Sequence, residues 1–410
     1  MTAALTPRRP WDRRRVVLGV TGGIAAYKAV QVARDLTLLG ATVDVVMTRG
    51  AHAFVGPITF ESLTGRRVLA DIFEQGRALE HIRLAREADL ICVAPATADF
   101  IARAAVGRAD DLLTAILLAA RSPVLICPAM NDWMWTHPQT QANVRHIQDS
   151  LGYSICGPAS GPLAHGEGEG EGRLEEPEVV LAHAARLLAG ETPFTNLRVI
   201  VTAGPTREAV DPVRILSNRS SGRMGFEIAG AAWRRGANVL LISGPTQLEP
   251  PPGPTLQRVE SAEAMALAVR QAIREADVLI MAAAAADFRP ATPEARKIKK
   301  AAGAPTLELE DAPDILQATR ADRPATMLAI GFALETDDAE RNARRKLQEK
   351  ALDVIVLNRA NDPGAGFETD TNRVTIIDSA GTEESLPLLP KHAVAEAVLD
   401  RVERLLPSHL

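Results

Sequence analysis

Two glycine turns, each directly behind an apolar β-branched run, have the residue types of a phosphate cradle. The first is Val16-Val17-Leu18-Gly19-Val20 running into Thr21-Gly22-Gly23-Ile24. The second is Val199-Ile200-Val201-Thr202 running into Ala203-Gly204-Pro205-Thr206. A strand feeding a glycine turn that opens a helix aims backbone N–H groups at one spot, which suits an anion. Around the first turn stand Thr48, His81, Ala94-Pro95-Ala96-Thr97-Ala98-Asp99 and Pro128-Ala129-Met130-Asn131. Thr21, Thr48 and Thr97 offer hydroxyls at strand C-termini, the edge where open α/β sheets bind ligands. His81 is either a catalytic group or a satisfied histidine of a short amphipathic stretch. Asn131 either binds a carboxylate or caps the helix that follows.

In the second half the densest segment runs from Asp211-Pro212-Val213-Arg214 through Ser217-Asn218-Arg219-Ser220-Ser221-Gly222 to Gly225. Serines and a glycine before a helix make an anion-binding N-terminus, and Arg214, Arg219 and Arg223 add positive charge. Lys297-Ile298-Lys299-Lys300 is a second basic set. Lys346 and Lys350, at i,i+4, share a helix face. Two such runs and an arginine loop in an acidic chain suggest a triphosphate or a phosphorylated substrate. Asp287, after the alanine run Ala282, Ala283, Ala284, could hold a ribose, a base edge or Mg²⁺.

The elements that must position these residues alternate. Val16–Val20, Thr42–Met47, Leu90–Ala94 and Val124–Cys127 read as strands, with helices over Ala25–Leu39 and Asp111–Arg121. Near-continuous apolar strands between helices indicate a parallel sheet covered on both faces. Gly161–Gly172 alternates glycine and is expected to hold no regular element, serving as an active-site flap or an inter-domain linker. A helix over Val179–Leu188 leads to a boundary at Gly190-Glu191-Thr192-Pro193. The pattern then restarts: Val199–Thr202, a polar segment, a helix near Gly225–Arg235, and strands at Asn238–Ile242, Val278–Met281, Met327–Phe332, Asp353–Leu357 and Val374–Ile377. A basic helix over Asp338–Lys350 lies among them, and Glu249–Pro254 reads as a stiff surface loop. The fold class is therefore α/β: two doubly wound, mainly parallel-sheet, Rossmann-like domains, 1–190 and 191–410, the first being flavodoxin-like by the family resemblance given below.

Composition narrows the function classes. The 410 residues exceed one core, 46% of them are apolar and 24% charged, and the net charge is −5. An acidic balance argues against a nucleic-acid partner. No apolar run reaches the ~18 residues of a membrane span. Cys92, Cys127 and Cys156 sit in or beside apolar runs, as buried thiols of a reducing, cytoplasmic setting do. The basic leader Arg8-Arg9-Pro10-Trp11-Asp12-Arg13-Arg14-Arg15 lacks the apolar core of a signal peptide.

Taken together, these motifs resemble those of the bacterial bifunctional coenzyme A biosynthesis proteins, in which phosphopantothenoylcysteine decarboxylase is fused to phosphopantothenate–cysteine ligase. The likeness spans residues 14–405. It rests on Gly22-Gly23-Ile24-Ala25-Ala26-Tyr27-Lys28, Ala94–Asp99, Pro128–Asn131, Thr202–Glu208, Asp211–Arg214, Ser217-Asn218 with Ser220-Ser221-Gly222, and Lys297–Lys300. For the first domain the resemblance implies FMN held by Gly22, Gly23, Ile24, Thr48, Pro95 and Thr97. His81 matches the essential histidine, and Asn131 the asparagine that binds the departing carboxylate. Family members carry a flap cysteine that helps reduce the enethiol product; His165 stands at that position here. Either His165 supplies the proton, or the final reduction is slow and enethiol leaks.

For the second domain the resemblance implies CTP with Mg²⁺, 4'-phosphopantothenate and L-cysteine. Asn218 matches the residue linked to conversion of the acyl-cytidylate, and Arg214 its neighbour on the same catalytic loop. Gly204, Ser220, Ser221 and Gly222 would hold phosphate. Lys297, Phe332, Lys346, Lys350, Ala282–Ala284, Asp287 (with the metal) and Pro313-Asp314-Ile315 match CTP positions; Ala312 stands where an asparagine is usual. Spacing alone does not separate CTP from ATP. The resemblance also implies a homo-oligomer, trimeric through the first domain and dimeric through the second, closing a dodecamer. Two other functions fit the residues: a ligase whose first domain binds FMN but is impaired and acts as an oligomerisation scaffold, and a flavin- or nucleotide-binding regulatory module.

Overall fold

The computed structural model describes residues 10–72, 79–299, 306–359, 366 and 369–406. Lys300 of the second basic set and Arg8 and Arg9 of the leader lie outside the described residues. The chain divides into two compact units, Met1–Gly190 and Glu191–Leu410.

The first unit runs β1 (Arg15–Val20), α1 (Ala26–Leu38), β2 (Thr42–Met47), α2 (Pro57–Thr64), α3 (Glu80–Glu87), β3 (Leu90–Ala96), α4 (Ala98–Ala105), α5 (Leu112–Ala119) and β4 (Val124–Pro128). It continues with α6 (Asp132–Thr136), α7 (Pro138–Asp149), β5 (Ser154–Ile155), β6 (Ala159–Pro162), β7 (Glu169–Arg173) and α8 (Pro177–Ala189). The sheet order is β2-β1-β3-β4-β5, parallel throughout. Alternation along β1 splits its side chains between two cores. Val16, Leu18 and Val20 pack with Val32, Leu36 and Val180 on one face. Val17 packs with Ile91, Phe100 and Ile116 on the other. Each such side chain contributes roughly 1.5–3 kcal/mol on burial, so helices must cover both faces. Gly40 ends the first helix at φ +98°, its N–H bonded to the Thr37 carbonyl at 3.0 Å.

The segment expected to be irregular is a β-hairpin. β6 and β7 pair antiparallel, with Gly161 opposite Gly170 and Pro162 opposite Glu169. The reason is steric. Gly170 and Gly172 project to the same face of β7. A Cβ on Gly170 would lie 2.7 Å from Asp132 Cβ, and one on Gly172 would lie 2.2 Å from the Met130 carbonyl oxygen. The alternating glycines let the hairpin backbone lie against the Met130–Asp132 loop, where the Met130 N–H bonds the Gly172 carbonyl at 3.0 Å.

The second unit runs β8 (Arg198–Ala203), β9 (Arg207–Ala209), β10 (Ile215–Ser217), α9 (Arg223–Arg234), β11 (Asn238–Ser243), β12 (Thr255–Arg258), α10 (Ala262–Ala272), β13 (Val278–Met281), β14 (Phe288–Pro290) and β15 (Leu309–Asp311). It continues with α11 (Ile315–Ala318), β16 (Leu328–Glu335), α12 (Ala339–Glu349), β17 (Val354–Arg359), β18 (Thr371–Asn372), β19 (Val374–Asp378), β20 (Glu383–Ser385), β21 (Leu389–Pro390) and α13 (Lys391–Leu405). Eight strands form one sheet in the order β12-β11-β8-β13-β16-β17-β19-β20. It is parallel up to β17; β19 and β20 are antiparallel additions. Apolar clusters again cover both faces. The polar stretch after β8 contains the antiparallel pair β9–β10.

Candidate functional site

In the first unit a cleft of about 400 Å³ opens at the C-terminal edge of the sheet. Gly22, Gly23, Ile24, Thr97, Asn131 and the hairpin residues Leu163, Ala164 and Glu167 are among its walls. Gly22 belongs there for close approach: a Cβ would come 2.7 Å from the Gly50 carbonyl carbon. At Gly23 a Cβ would meet only Thr97 Cγ2, at 3.8 Å, so that face of the turn is open. Among the described residues the N–H groups of Gly22, Gly23 and Ile24 take no partner, and the first helix has no side-chain cap. Such a turn supplies donors for a phosphate. Met130, Met134, Ile24 and Leu163 add apolar walls. These features fit a phosphate-bearing aromatic cofactor.

The hydroxyls expected to face phosphate are used otherwise. Thr21 Oγ1 donates to the Pro95 carbonyl at 2.8 Å and accepts the Thr97 N–H at 3.1 Å, tying two loops together. Thr48 is buried with its hydroxyl 3.4 Å from the Val20 carbonyl. Thr97 caps α4 through the Phe100 N–H, at 3.3 Å. Thr48 and Pro95 do not line the cleft. Asn131 caps α6, its oxygen accepting the Trp133 N–H at 2.9 Å. Its amide nitrogen therefore remains as the donor. His165 is exposed at the hairpin tip, between two lining residues but not itself lining. His81 is half-buried in the first turn of α3, with Nδ1 buried and unpartnered among the described residues. One chain does not bring it to the cleft that holds Asn131. Lys28, which motif reasoning left without a role, is buried. Its Nζ donates to the Leu174 carbonyl and pairs with Glu176, both at 2.8 Å, fixing the base of the hairpin.

In the second unit a cavity of about 740 Å³ gathers residues from far-separated segments. Asn218, Ser220, Ser221, Gly222, Ala282, Ala283, Ala284, Asp287, Pro313, Asp314, Ile315, Phe332, Lys346 and Lys350 all line it. Asn218 Nδ2 donates to the Ala284 and Ala285 carbonyls at 3.1 Å each. The alanine run is held onto the end of β8: Ala283 N–H bonds Thr202 Oγ1, Ala284 N–H the Gly204 carbonyl and Ala286 N–H Thr206 Oγ1. Gly204 itself does not line the cavity. At φ +76° it packs under Gly222, whose Cβ would fall 3.1 Å from Gly204 Cα. The second glycine turn thus lets three loops touch backbone to backbone at the N-terminus of α9, where the Gly222 and Arg223 N–H groups bond the Ser220 and Ser221 hydroxyls at 3.2 and 3.4 Å.

Charge is distributed unevenly around this cavity. Lys346 pairs with Glu335 at 2.6 Å and Lys350 with Asp314 at 2.9 Å, so both lysines arrive neutralised. At the start of α9, Arg223 pairs with the exposed Asp370, at 3.1 Å. Lys391, buried and donating to the Gly366 carbonyl at 3.1 Å, stands nearby. Burial pushes its pKa down, Arg223 pushes further, and Asp370 opposes. Asp287 is exposed and holds the Ala312 N–H through its own carbonyl. Among the described residues no three His, Cys, Asp or Glu gather as a metal cage. One carboxylate fits Mg²⁺ that arrives on phosphate oxygens rather than a protein-held ion.

Arg214 and Lys297 lie outside the cavity wall: Arg214 pairs with Asp211, and Lys297 is exposed. Sequence reasoning missed Asn358, Asn372 and Lys391, all of which line the cavity. Asn358 Oδ1 is buried without a partner among the described residues. No local motif marks these three, because only strand order brings them to the site.

Residues 5–188 match the family "Flavoprotein", and residues 194–406 match "DNA/pantothenate metabolism flavoprotein C-terminal domain". A curated relative from Bacillus subtilis (strain 168), the coenzyme A biosynthesis bifunctional protein CoaBC, is 44% identical over 399 residues, spanning 96% of this chain and 98% of its own. Proteins of the same name are similarly close. That of Mycobacterium bovis is 45% identical over 95% of this chain and 96% of its own. That of Vibrio cholerae is 43% identical over 94% and 97%.

Proposed function

The chain belongs to the family of coenzyme A biosynthesis bifunctional proteins, and from that premise we propose that residues 191–410 join 4'-phosphopantothenate to L-cysteine with CTP, and residues 1–190 decarboxylate the product. The observation that carries the ligase half is the single cavity that collects Asn218, the Ser220–Gly222 turn, Asp287, Phe332 and two lysines from separate segments. The phosphopantothenate carboxylate attacks the α-phosphorus of CTP, forming an acyl-cytidylate and releasing pyrophosphate. The cysteine amine then attacks the acyl carbon and CMP leaves. The N-terminus of α9, with the Ser220 and Ser221 hydroxyls and Arg223, would hold phosphate oxygens. Phe332 offers a face for the base, and Asn218 orients the acyl group by staying fixed to the alanine run. Asp287 would hold Mg²⁺ arriving on CTP, which would supply charge neutralisation for the leaving pyrophosphate.

In the decarboxylase half the Gly22-Gly23-Ile24 N–H groups would take the FMN phosphate. FMN bound there would supply two-electron redox chemistry at the cysteinyl thiol. The Asn131 amide donates to the departing carboxylate. The hairpin closes over both, placing His165 at its tip. The absence of His81 from the walls of the Asn131 cleft within one chain supports a homo-oligomer in which a second copy supplies His81. No helix among the described residues is long and apolar enough to cross a membrane; a cytoplasmic setting is our proposal. Purified protein given CTP, 4'-phosphopantothenate and cysteine is expected to release pyrophosphate, then CO₂. Pyrophosphate without CO₂ in the presence of FMN would instead leave the first unit as a scaffold.

A further inference from the structure

Asp211 has a carboxylate environment that neither half of the proposed chemistry uses. Its side chain is fully buried. Oδ1 accepts the N–H groups of Val213 and Arg214, each at 2.8 Å. Oδ2 accepts the Ile298 N–H at 3.1 Å and pairs with the Arg214 guanidinium at 2.5 Å. That guanidinium also donates to the Ile298 carbonyl at 3.2 Å, and the Glu294 N–H bonds the Val210 carbonyl at 3.0 Å. Burial raises the Asp211 pKa, but these donors outweigh it and hold it at about 2. The group is an anion at every working pH.

The β9–β10 ladder closes the 211–214 turn on itself, whereas between the two segments the Asp211 and Arg214 contacts are joined by the Glu294 N–H to the Val210 carbonyl. Pro212, Val213 and Arg214 are exposed, as are Arg296, Lys297 and Lys299. A surface turn needs one acceptor, which a neutral Asn or Ser supplies. Here a buried charge, costly unless fully bonded, reaches across 87 residues to Ile298. It binds the neighbour of Lys297 on one side and Arg214, four residues before Asn218, on the other.

We propose that Asp211 is a positioning residue that clamps the Lys297 segment to the loop carrying Arg214 and Asn218, so that both cations approach the nucleotide phosphates as one unit. This rests on the ligase reading of residues 191–410. The clamp has two separable halves. Asp211→Asn keeps an oxygen for the Val213 and Arg214 N–H groups but turns an NH₂ toward Ile298 N–H and the guanidinium, donor against donor. Asp211→Ala removes both halves.

The test uses the full chain and three readouts: CTP-dependent pyrophosphate release, thermal unfolding, and tryptic cleavage at Arg296, Lys297 and Lys299. For Asp211→Asn the expected kcat falls about 100-fold, as a misplacement near 1 Å does, with KM for 4'-phosphopantothenate unchanged. Cleavage in the 294–299 segment accelerates by about tenfold, equivalent to about 1.4 kcal/mol of lost closure. Unfolding stays near wild type for Asn and drops for Ala, yet both lose the same activity. A purely structural Asp211 would make activity follow unfolding temperature across the pair, and that outcome overturns the proposal. So does wild-type cleavage of the Asn variant. If wild-type protein itself releases no pyrophosphate, the ligase reading falls, while the protease result still decides whether the clamp exists.

Discussion

Substituting Gly172 by Ala tests whether the hairpin must sit on the Asn131 loop. The added Cβ would fall 2.2 Å from the Met130 carbonyl oxygen, a backbone atom that has no rotamer to escape through. Relief requires the hairpin to lift, which also breaks the 3.0 Å bond from the Met130 N–H to the Gly172 carbonyl. Overpacking costs about 2 kcal/mol and the lost bond about 1 kcal/mol, together about 3 kcal/mol against the seated hairpin. At 1.4 kcal/mol per tenfold, the ratio of seated to lifted hairpin falls about 100-fold. CO₂ release from phosphopantothenoylcysteine is expected to fall by up to that factor, while CTP-dependent pyrophosphate release from the second unit stays within about twofold. Gly168→Ala is the control. Its Cβ meets nothing within 4 Å, and only the φ of +79° resists, at about 1–2 kcal/mol spent inside the turn. Its effect on CO₂ release is therefore the smaller of the two. Wild-type CO₂ release by Gly172→Ala would refute the reasoning, as would an equal loss from Gly168→Ala.

Three further outcomes are expected. His81→Asn abolishes CO₂ release but leaves flavin absorbance and pyrophosphate release unchanged, because the Gly22–Ile24 turn proposed to hold the FMN phosphate does not include His81. Lys346→Met strands Glu335, whose side chain is 14% exposed, beside the cavity; an unpaired anion there repels the nucleotide, so KM for CTP rises by about tenfold, or 1.4 kcal/mol. Asp378→Ala removes the 2.9 Å partner of the buried Arg401, which keeps Glu384 at 2.8 Å, and destabilises the second unit by about 2 kcal/mol in urea unfolding. Burial raises the Asp378 pKa, but Thr382 donors and Arg401 outweigh it and the net shift is downward. The pair's contribution is thus present above the ordinary carboxylate pKa of about 4 and lost as pH falls through the lower folded value. The wild type should lose stability on acidification over that window, and Asp378→Ala should lose less.

Legibility in the sequence followed the range of the interactions. Strands such as Val16–Val20 and Val278–Met281 were readable because burial on both faces demands continuous β-branched runs. The Gly161–Gly172 hairpin was not. Alternating glycine looks like flexibility until the Met130–Asp132 loop that it packs against is known. Gly204 was readable as special but not in its role, since the backbone it accommodates belongs to Gly222 and Gly244, remote in sequence. Most of the ligase cavity could be listed from motifs. Lys391, Asn358 and Asn372 could not, because a lysine opening a helix and asparagines near strand ends are commonplace until the sheet order places them together. Arg214 and Lys297 were grouped with the cavity by charge and by family resemblance, whereas the fold ties Arg214 and the neighbour of Lys297, Ile298, first to Asp211.

The central claim is that one chain performs two consecutive steps. It is tested most directly by giving the purified full-length protein FMN, Mg²⁺, CTP, 4'-phosphopantothenate and L-cysteine under anaerobic conditions, and following pyrophosphate, CO₂ and product masses together. The account predicts pyrophosphate released first, CO₂ in equal amount after a lag, and accumulation of 4'-phosphopantetheine. Phosphopantothenoylcysteine accumulating with no CO₂, or CO₂ release from added phosphopantothenoylcysteine with no CTP-dependent pyrophosphate, would contradict it.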